Sequence, residues 1–289
     1  MYSNAMFNLM TLDQTRKYGV AAIGCILLTV AGTQAQVAGD RVTVPFSDPT
    51  RPGVVKASVL NGGITVKTHE GKDVIVEARL RERESRTSGS MKRIPMTSTG
   101  LTVEEEDNRI SIGTDSNQRT IDLTILVPTN TSLILRSVND GDIEVTGVNG
   151  EIDVNNINGE VTLKNIAGNA IAHALNGKIL VNFTSINAKP MAFSSMNGDI
   201  DVTFPATLKA NVNLTSNQGD VYSDFDVTMQ PTAPKQIVED GRGKGGKYRV
   251  KIDKIVRGTI NGGGPEIQFK NFNGDIFIRK AGASTAAKE

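Results

Sequence analysis

Residues 139–222 return to one phrase again and again: NDGDIEV at 139–145, NGEIDV at 149–154, NGEVTL at 158–163, AGNAIA at 167–172, NGKILV at 176–181, NGDIDV at 197–202 and NQGDVY at 217–222. Its glycines are Gly141, Gly150, Gly159, Gly168, Gly177, Gly198 and Gly219, so the spacings are 9, 9, 9, 9, 21 and 21. A fixed period of this kind marks a stacked architecture in which each unit covers its neighbour.

Counting from each glycine, position +1 is mostly charged or polar (Asp142, Glu151, Glu160, Asn169, Lys178, Asp199, Asp220). Position +2 is aliphatic (Ile143, Ile152, Val161, Ile179, Ile200, Val221), and +4 is usually apolar (Val145, Val154, Leu163, Val181, Val202). Position −2 is apolar in most units (Val148, Ile157, Ile166, Leu175, Met196), and +3 is mixed and reads as outward. Each unit is therefore expected to send about three side chains inward, those at −2, +2 and +4, and to turn the chain twice. Asn and Gly mark the turns, where positive φ is cheap.

Two arrangements satisfy the pattern. A parallel β-solenoid stacks coils of 18–21 residues, two units each. An antiparallel meander makes each Asn-Gly a hairpin turn. The meander needs unbroken alternation, which Val154-Asn155-Asn156-Ile157 and Leu163-Lys164-Asn165-Ile166 both interrupt. Corners at Asn155-Asn156 and Asn165 favour the solenoid, and each spacing of 21 matches one larger coil.

The flanks are also strand-rich. VVKASVL, a turn at Asn61-Gly62-Gly63, ITVKT, a turn near Glu70-Gly71 and VIVEARL fill 54–80. LTVEE, RISIG, RTIDLTILVP and LILRSV follow, and Pro128 ends its strand because it cannot donate to a ladder. Residues 81–98 are charged and small and read as an exposed loop, as do 223–247. The expected division is 1–35 leader, 36–138 N-terminal β region, 139–280 solenoid and 281–289 flexible tail.

Arg16 and Lys17, the apolar run 18–31, and Thr33 and Ala35 before a cleavage point read as an export signal. The run is short for a membrane span, which needs about 20 residues. Acylation at Cys25 fits less well, because apolar residues continue past it. Cys25 is the only cysteine, so a chain cleaved after Ala35 has no disulfide and no thiol. The net charge of +1, the 4% aromatic content and the absence of Trp speak against nucleic acid as a partner.

The strand-rich start, TILVPTN at 124–130, the repeated NGDI/NGEI units and the closing INGGGPEI (260–267) with NGDIFIRK (273–280) together resemble the bacterial DUF4097 β-strand-repeat family, whose members carry the label "putative adhesin". The resemblance covers roughly residues 40–280. It implies an exported or envelope-attached right-handed β-helix. It implies no enzyme, and brings no catalytic residues with it.

Other chemistry reads weakly. Calcium-binding nonapeptide repeats have a second recurring Asp, which these units lack; Asp140, Asp142 and Glu144 are the one local oxygen cluster. GRGKGGK at 241–247 has phosphate-loop spacing, but a strand follows it rather than a helix. His69 and His173 are too few for a zinc site, and no GxSxG occurs. Asp142/Glu144, Glu151/Asp153 and Asp199/Asp201 are i,i+2 carboxylates that share a strand face. They are the candidate binding face, or the acids of a glycan-cleaving β-helix. Gly141, Gly150, Gly159, Gly168, Gly177, Gly198, Gly219 and Gly274 are expected to be structural turns. The expected function is a non-catalytic envelope protein for adhesion or scaffold binding, without cofactor or metal, with a glycan or protein as partner. A carbohydrate-active enzyme and an envelope-stress accessory protein are the alternatives.

Overall fold

The computed structural model describes residues 39–81, 98–115, 119–230, 236–240, 248–252 and 255–282. The leader, the GRGKGGK segment, Cys25, most of the 81–98 loop and most of the tail lie outside them. The described chain is built of strands and turns. In order these are β1 (Asp40–Pro45), β2 (Gly53–Asn61), β3 (Ile64–His69), β4 (Asp73–Leu80), β5 (Leu101–Glu106), β6 (Arg109–Thr114), β7 (Ile121–Pro128) and β8 (Thr131–Asn139). The repeat supplies β9 (Ile143–Thr146), β10 (Asn149–Asn158), β11 (Val161–Asn176), β12 (Ile179–Ile186), β13 (Met191–Asn197), β14 (Ile200–Phe204), β15 (Ala210–Gln218) and β16 (Val221–Ser223). After them come β17 (Val227–Met229), β18 (Gln236–Asp240), β19 (Tyr248–Ile252), β20 (Val256–Ile260), β21 (Glu266–Asn273) and β22 (Ile276–Lys280).

The strands form a β-solenoid with two main faces. The first face runs β6-β2-β8-β10-β11-β13-β21-β15, all parallel. The second runs β7-β3-β9-β11-β12-β14-β22-β16, again parallel. β11 serves both faces: its first part pairs with β9 and its second part with β10. Register follows the sequence period. Ile143 sits beside Val161, Val161 beside Ile179, and Ile179 beside Ile200, which are steps of 18, 18 and 21 residues.

The N-terminal strands both continue the solenoid and cap it. β2 and β3 form a full layer, while β5 on β6, and β4 then β1 on β7, are antiparallel additions. At the far end β20 and then β17 add antiparallel to β15. Such strands close an edge that would otherwise template further pairing.

Chain order and stacking order differ at both ends. The β2/β3 layer lies between β6/β7 and β8/β9. The last layer in sequence, β21/β22, lies between β13/β14 and β15/β16. The column of bend glycines shows it directly. A methyl on Gly274 would meet the Gly198 carbonyl at 2.7 Å, and one on Gly219 would meet the Gly274 carbonyl at 2.1 Å.

The core changes with coil size. The 18-residue coils are filled by aliphatics such as Ile143, Val145, Val154 and Leu163. The 21-residue coil is wider, and Phe183, Phe193, Phe204 and Phe269 fill it. Phe183 stacks on Phe204 at 5.3 Å, and Phe193 on Phe269 at 5.4 Å. Phe193 has the small Ala172 as its neighbour on β11, so large and small side chains interlock.

Two expectations need correction. Asn155 and Asn156 make no corner; they lie inside β10. Asn165 does turn, with φ of 55°. Asn156 is drawn into the interior because its Nδ2 donates to the carbonyls of Gly141 (3.0 Å) and Glu160 (3.2 Å). Position −2 is also not uniformly inward. Val148 and Ile166 are buried, but Leu175 and Met196 are 42% and 45% exposed. Before Gly177 and Gly198 the inward place falls to Ala174 and Ser195, and strand alternation turns the next residue outward.

Candidate functional site

The six candidate acids do not converge on one place. Asp142 and Glu144 lie before and on β9; Asp199 and Asp201 lie before and on β14, on the same face. The β11 and β12 layers separate them. Glu151 and Asp153 belong to β10 on the other face.

Most of their oxygens are engaged. Asp142 Oδ1 accepts the Glu160 backbone N–H at 2.8 Å, and Asp199 Oδ1 accepts that of Asp275 at 3.0 Å. Asp275 does the same for Asp220 at 2.8 Å. The +1 carboxylate thus clips one coil to the next, beside the glycine bend. Glu151 pairs with Lys189. Asp153 takes the Arg136 guanidinium at 2.7 Å. Arg279 Nε lies 2.8 Å from both oxygens of Asp201, and its guanidinium carbon stands 5.1 Å over the Phe277 ring. Phe277 in turn stacks on Tyr222 at 5.2 Å. The Asp220 and Asp275 carboxylates push the Tyr222 phenol above its ordinary pKa, since a second negative charge there is unfavourable. Glu144 is exposed, between Thr65 and Thr162 in its column.

A second column stands next to the glycines. Asn139 Nδ2 donates to Asn61 Oδ1 (3.2 Å), Asn158 to Asn139 (3.0 Å), Asn176 to Asn158 (2.9 Å) and Asn197 to Asn176 (2.8 Å). Each side-chain amide gives one bond and takes one, as an amide can and a carboxylate cannot. This explains Asn before Gly better than turn preference does. The signal was in the sequence, since Asn precedes Gly159, Gly177, Gly198 and Gly274, but turn chemistry accounted for it too readily.

The Asp140–Asp142–Glu144 cluster does not form an oxygen cage. The Asp140 carbonyl already accepts the Arg81 guanidinium at 2.7 Å, and Arg81 also binds Asp122. Among the described residues no three His, Cys, Asp or Glu gather as metal ligands do. His69 is a turn residue: its Nε2 is 2.7 Å from the Asp73 carbonyl, and its Nδ1 accepts the Gly71 N–H. His173 Nδ1 is 2.6 Å from Ser194 Oγ on the next strand. A relay would need a third group orienting the ring, and among the described residues no carboxylate bonds to His173.

The coil geometry, with glycine bends and Asx clips at an 18-residue step, is that of a repeat family. Residues 137–261 match the family model Toastrack DUF4097. The resemblance read from the closing motifs is borne out over that stretch, which is shorter than the 40–280 first taken. The Toastrack match opens at Ser137 in β8 and reaches Asn261, just past β20, so it holds the asparagine column from Asn139 to Asn197. Two solved structures align with most of the chain. One is a "putative cell adhesion protein" from Clostridium sporogenes, 11% identical, covering 84% of this chain and 100% of that one, with a TM-score of 0.33. The other is a "putative adhesin" from Bacteroides fragilis, 13% identical, covering 84% and 97%, with a TM-score of 0.31. No curated protein matches the sequence.

Proposed function

We propose that this β-repeat protein is an exported, non-catalytic scaffold of the cell envelope, which presents its sheet faces to a glycan or protein for adhesion or assembly. The observation that supports it most is the use made of the acids. Asp142 and Asp199 hold backbone N–H groups of the next coil. Glu151, Asp153 and Asp201 are tied to cations. A general acid and base must be held apart with their proton positions free for substrate; these carboxylates instead fasten one coil to another. The leader-like residues 1–35 support export.

The test has two parts. Cell fractionation should find the chain in the envelope fraction, beginning near Gln36; an intact leader in the cytoplasm overturns the export reading. The purified full chain should bind on a glycan array or in envelope pull-downs and show no turnover of polysaccharides. Turnover that disappears in Asp201→Asn, with the thermal transition unchanged, would make it an enzyme instead.

A further inference from the structure

The two outward faces differ in charge. The second face carries Lys67, Glu144, Lys164 and Asp201, with Arg279 at its end. On the first face Arg136 is neutralised by Asp153, which leaves Lys56 and Lys270 near opposite ends. Along that face, next to the asparagine column, runs a line of apolar side chains: Leu60, Val138, Ile157, Leu175, Met196 and Phe272. Leu60, Leu175, Met196 and Phe272 are 41–45% exposed, and Val138 and Ile157 are half-buried. Their places come from register: Asn61 beside Asn139, Asn158 beside Asn176, Asn176 beside Asn197 and Asn197 beside Asn273 each set the preceding residues side by side. Five steps of about 4.8 Å make the line about 24 Å long. Apolar side chains in line on a charge-poor face mark a contact surface rather than scattered exposure.

We propose that this line is where a second copy of the chain docks, antiparallel, about a two-fold axis between Ile157 and Leu175. The observations select a copy over other occupants. Only another solenoid of the same coil carries side chains at the same spacing, so only it stays in step over all six positions. The two-fold sets Leu60 against Phe272, Val138 against Met196 and Ile157 against Leu175, apolar on apolar throughout. It also separates the cations: Lys56 meets Gln268, Lys270 meets Ser58, and Arg136 meets Ser194. An isologous contact of this kind closes on itself. Three outward columns are roughly 14 Å wide, so the footprint is smaller than the about 800 Å² per partner of a standard interface. The dimer therefore dissociates on dilution. The inference does not depend on export or on envelope binding.

Sedimentation velocity of the full chain over a wide concentration range tests it. The expected result is a reversible monomer–dimer equilibrium. Met196→Lys and Val138→Glu, both surface changes, should each raise the dissociation constant by about tenfold or more with unchanged thermal unfolding. The double variant V138E/M196K should regain the dimer, because the two introduced charges are opposite in sign and face each other across both contacts. Within one chain the two positions are three layers apart and cannot compensate. Glu144→Lys, on the other face, should leave the equilibrium unchanged. A wild type that stays monomeric overturns the proposal, as does a dimer indifferent to Met196→Lys or a double variant that remains monomeric. Flotation of a monomeric wild type with neutral phosphatidylcholine vesicles, lost in Met196→Lys, would assign the line to lipid instead.

Discussion

Asn176 gives one amide bond and receives another, to Asn158 and from Asn197. Both are solvent-exposed, so Asn176→Ala should cost only about 1 kcal/mol, read from the denaturant midpoint. Its neighbour is far less tolerant. A methyl on Gly177 would lie 2.0 Å from the Gly159 carbonyl oxygen, backbone that cannot retreat without separating two coils. Gly177→Ala should cost about 3 kcal/mol or more in the same measurement. Acid should act at the N-terminal cap. Thr99 holds the Asp40 carboxyl below its ordinary 3.8, Thr50 does the same for Asp48, and Ser47 holds Glu105 below 4.5, in each case by hydrogen bonds to the ionised form. A carboxyl lowered on folding adds stability that is complete above its unfolded value and is lost as pH falls through its folded value. The Tm should therefore hold down to about pH 5 and fall below about pH 4, and Thr99→Ala should make that fall shallower.

A coil is the unit that can be added or removed. Gly141, Gly159 and Gly177 stand in one column, so duplicating residues 141–158 should insert one further layer in phase. Duplicating only 150–158 should shift the next bend onto the wrong side and bring inward residues out. Circular dichroism and the thermal transition should report a folded protein in the first case and a disrupted one in the second. This is also where the sequence was most legible. Period, bend glycines and the +2 and +4 aliphatics follow from one physical demand, that like residues stack. Position −2 was harder to read, because the same apolar residue type serves a buried corner at Val148 and an exposed line at Met196. Alternation decides between them only once Ala174 and Ser195 are known to face inward. The acids were legible as i,i+2 pairs, but their partners Arg136, Lys189 and Arg279 lie 17, 38 and 78 residues away. No local pattern gives those distances.

At the scale of the whole chain, neither end of the sequence is an end of the stack. β21 and β22 pair on both sides, with β13 and β14 on one and β15 and β16 on the other. Ending the chain after Gly264 should leave two layers without the one between them, giving aggregation on gel filtration and lost amide protection across β13–β16. Removing 236–252 should do little, because β18 and β19 pair only with each other. The inserted layer also sets a timetable. A ribosome releases β15 and β16 some fifty residues before the strands they must rest on, so the finished half of the stack waits with its face uncovered until synthesis is almost over. Completion then happens as a single late event, and a prematurely stopped chain is left conspicuously unfinished, open to proteases where the intact one is closed.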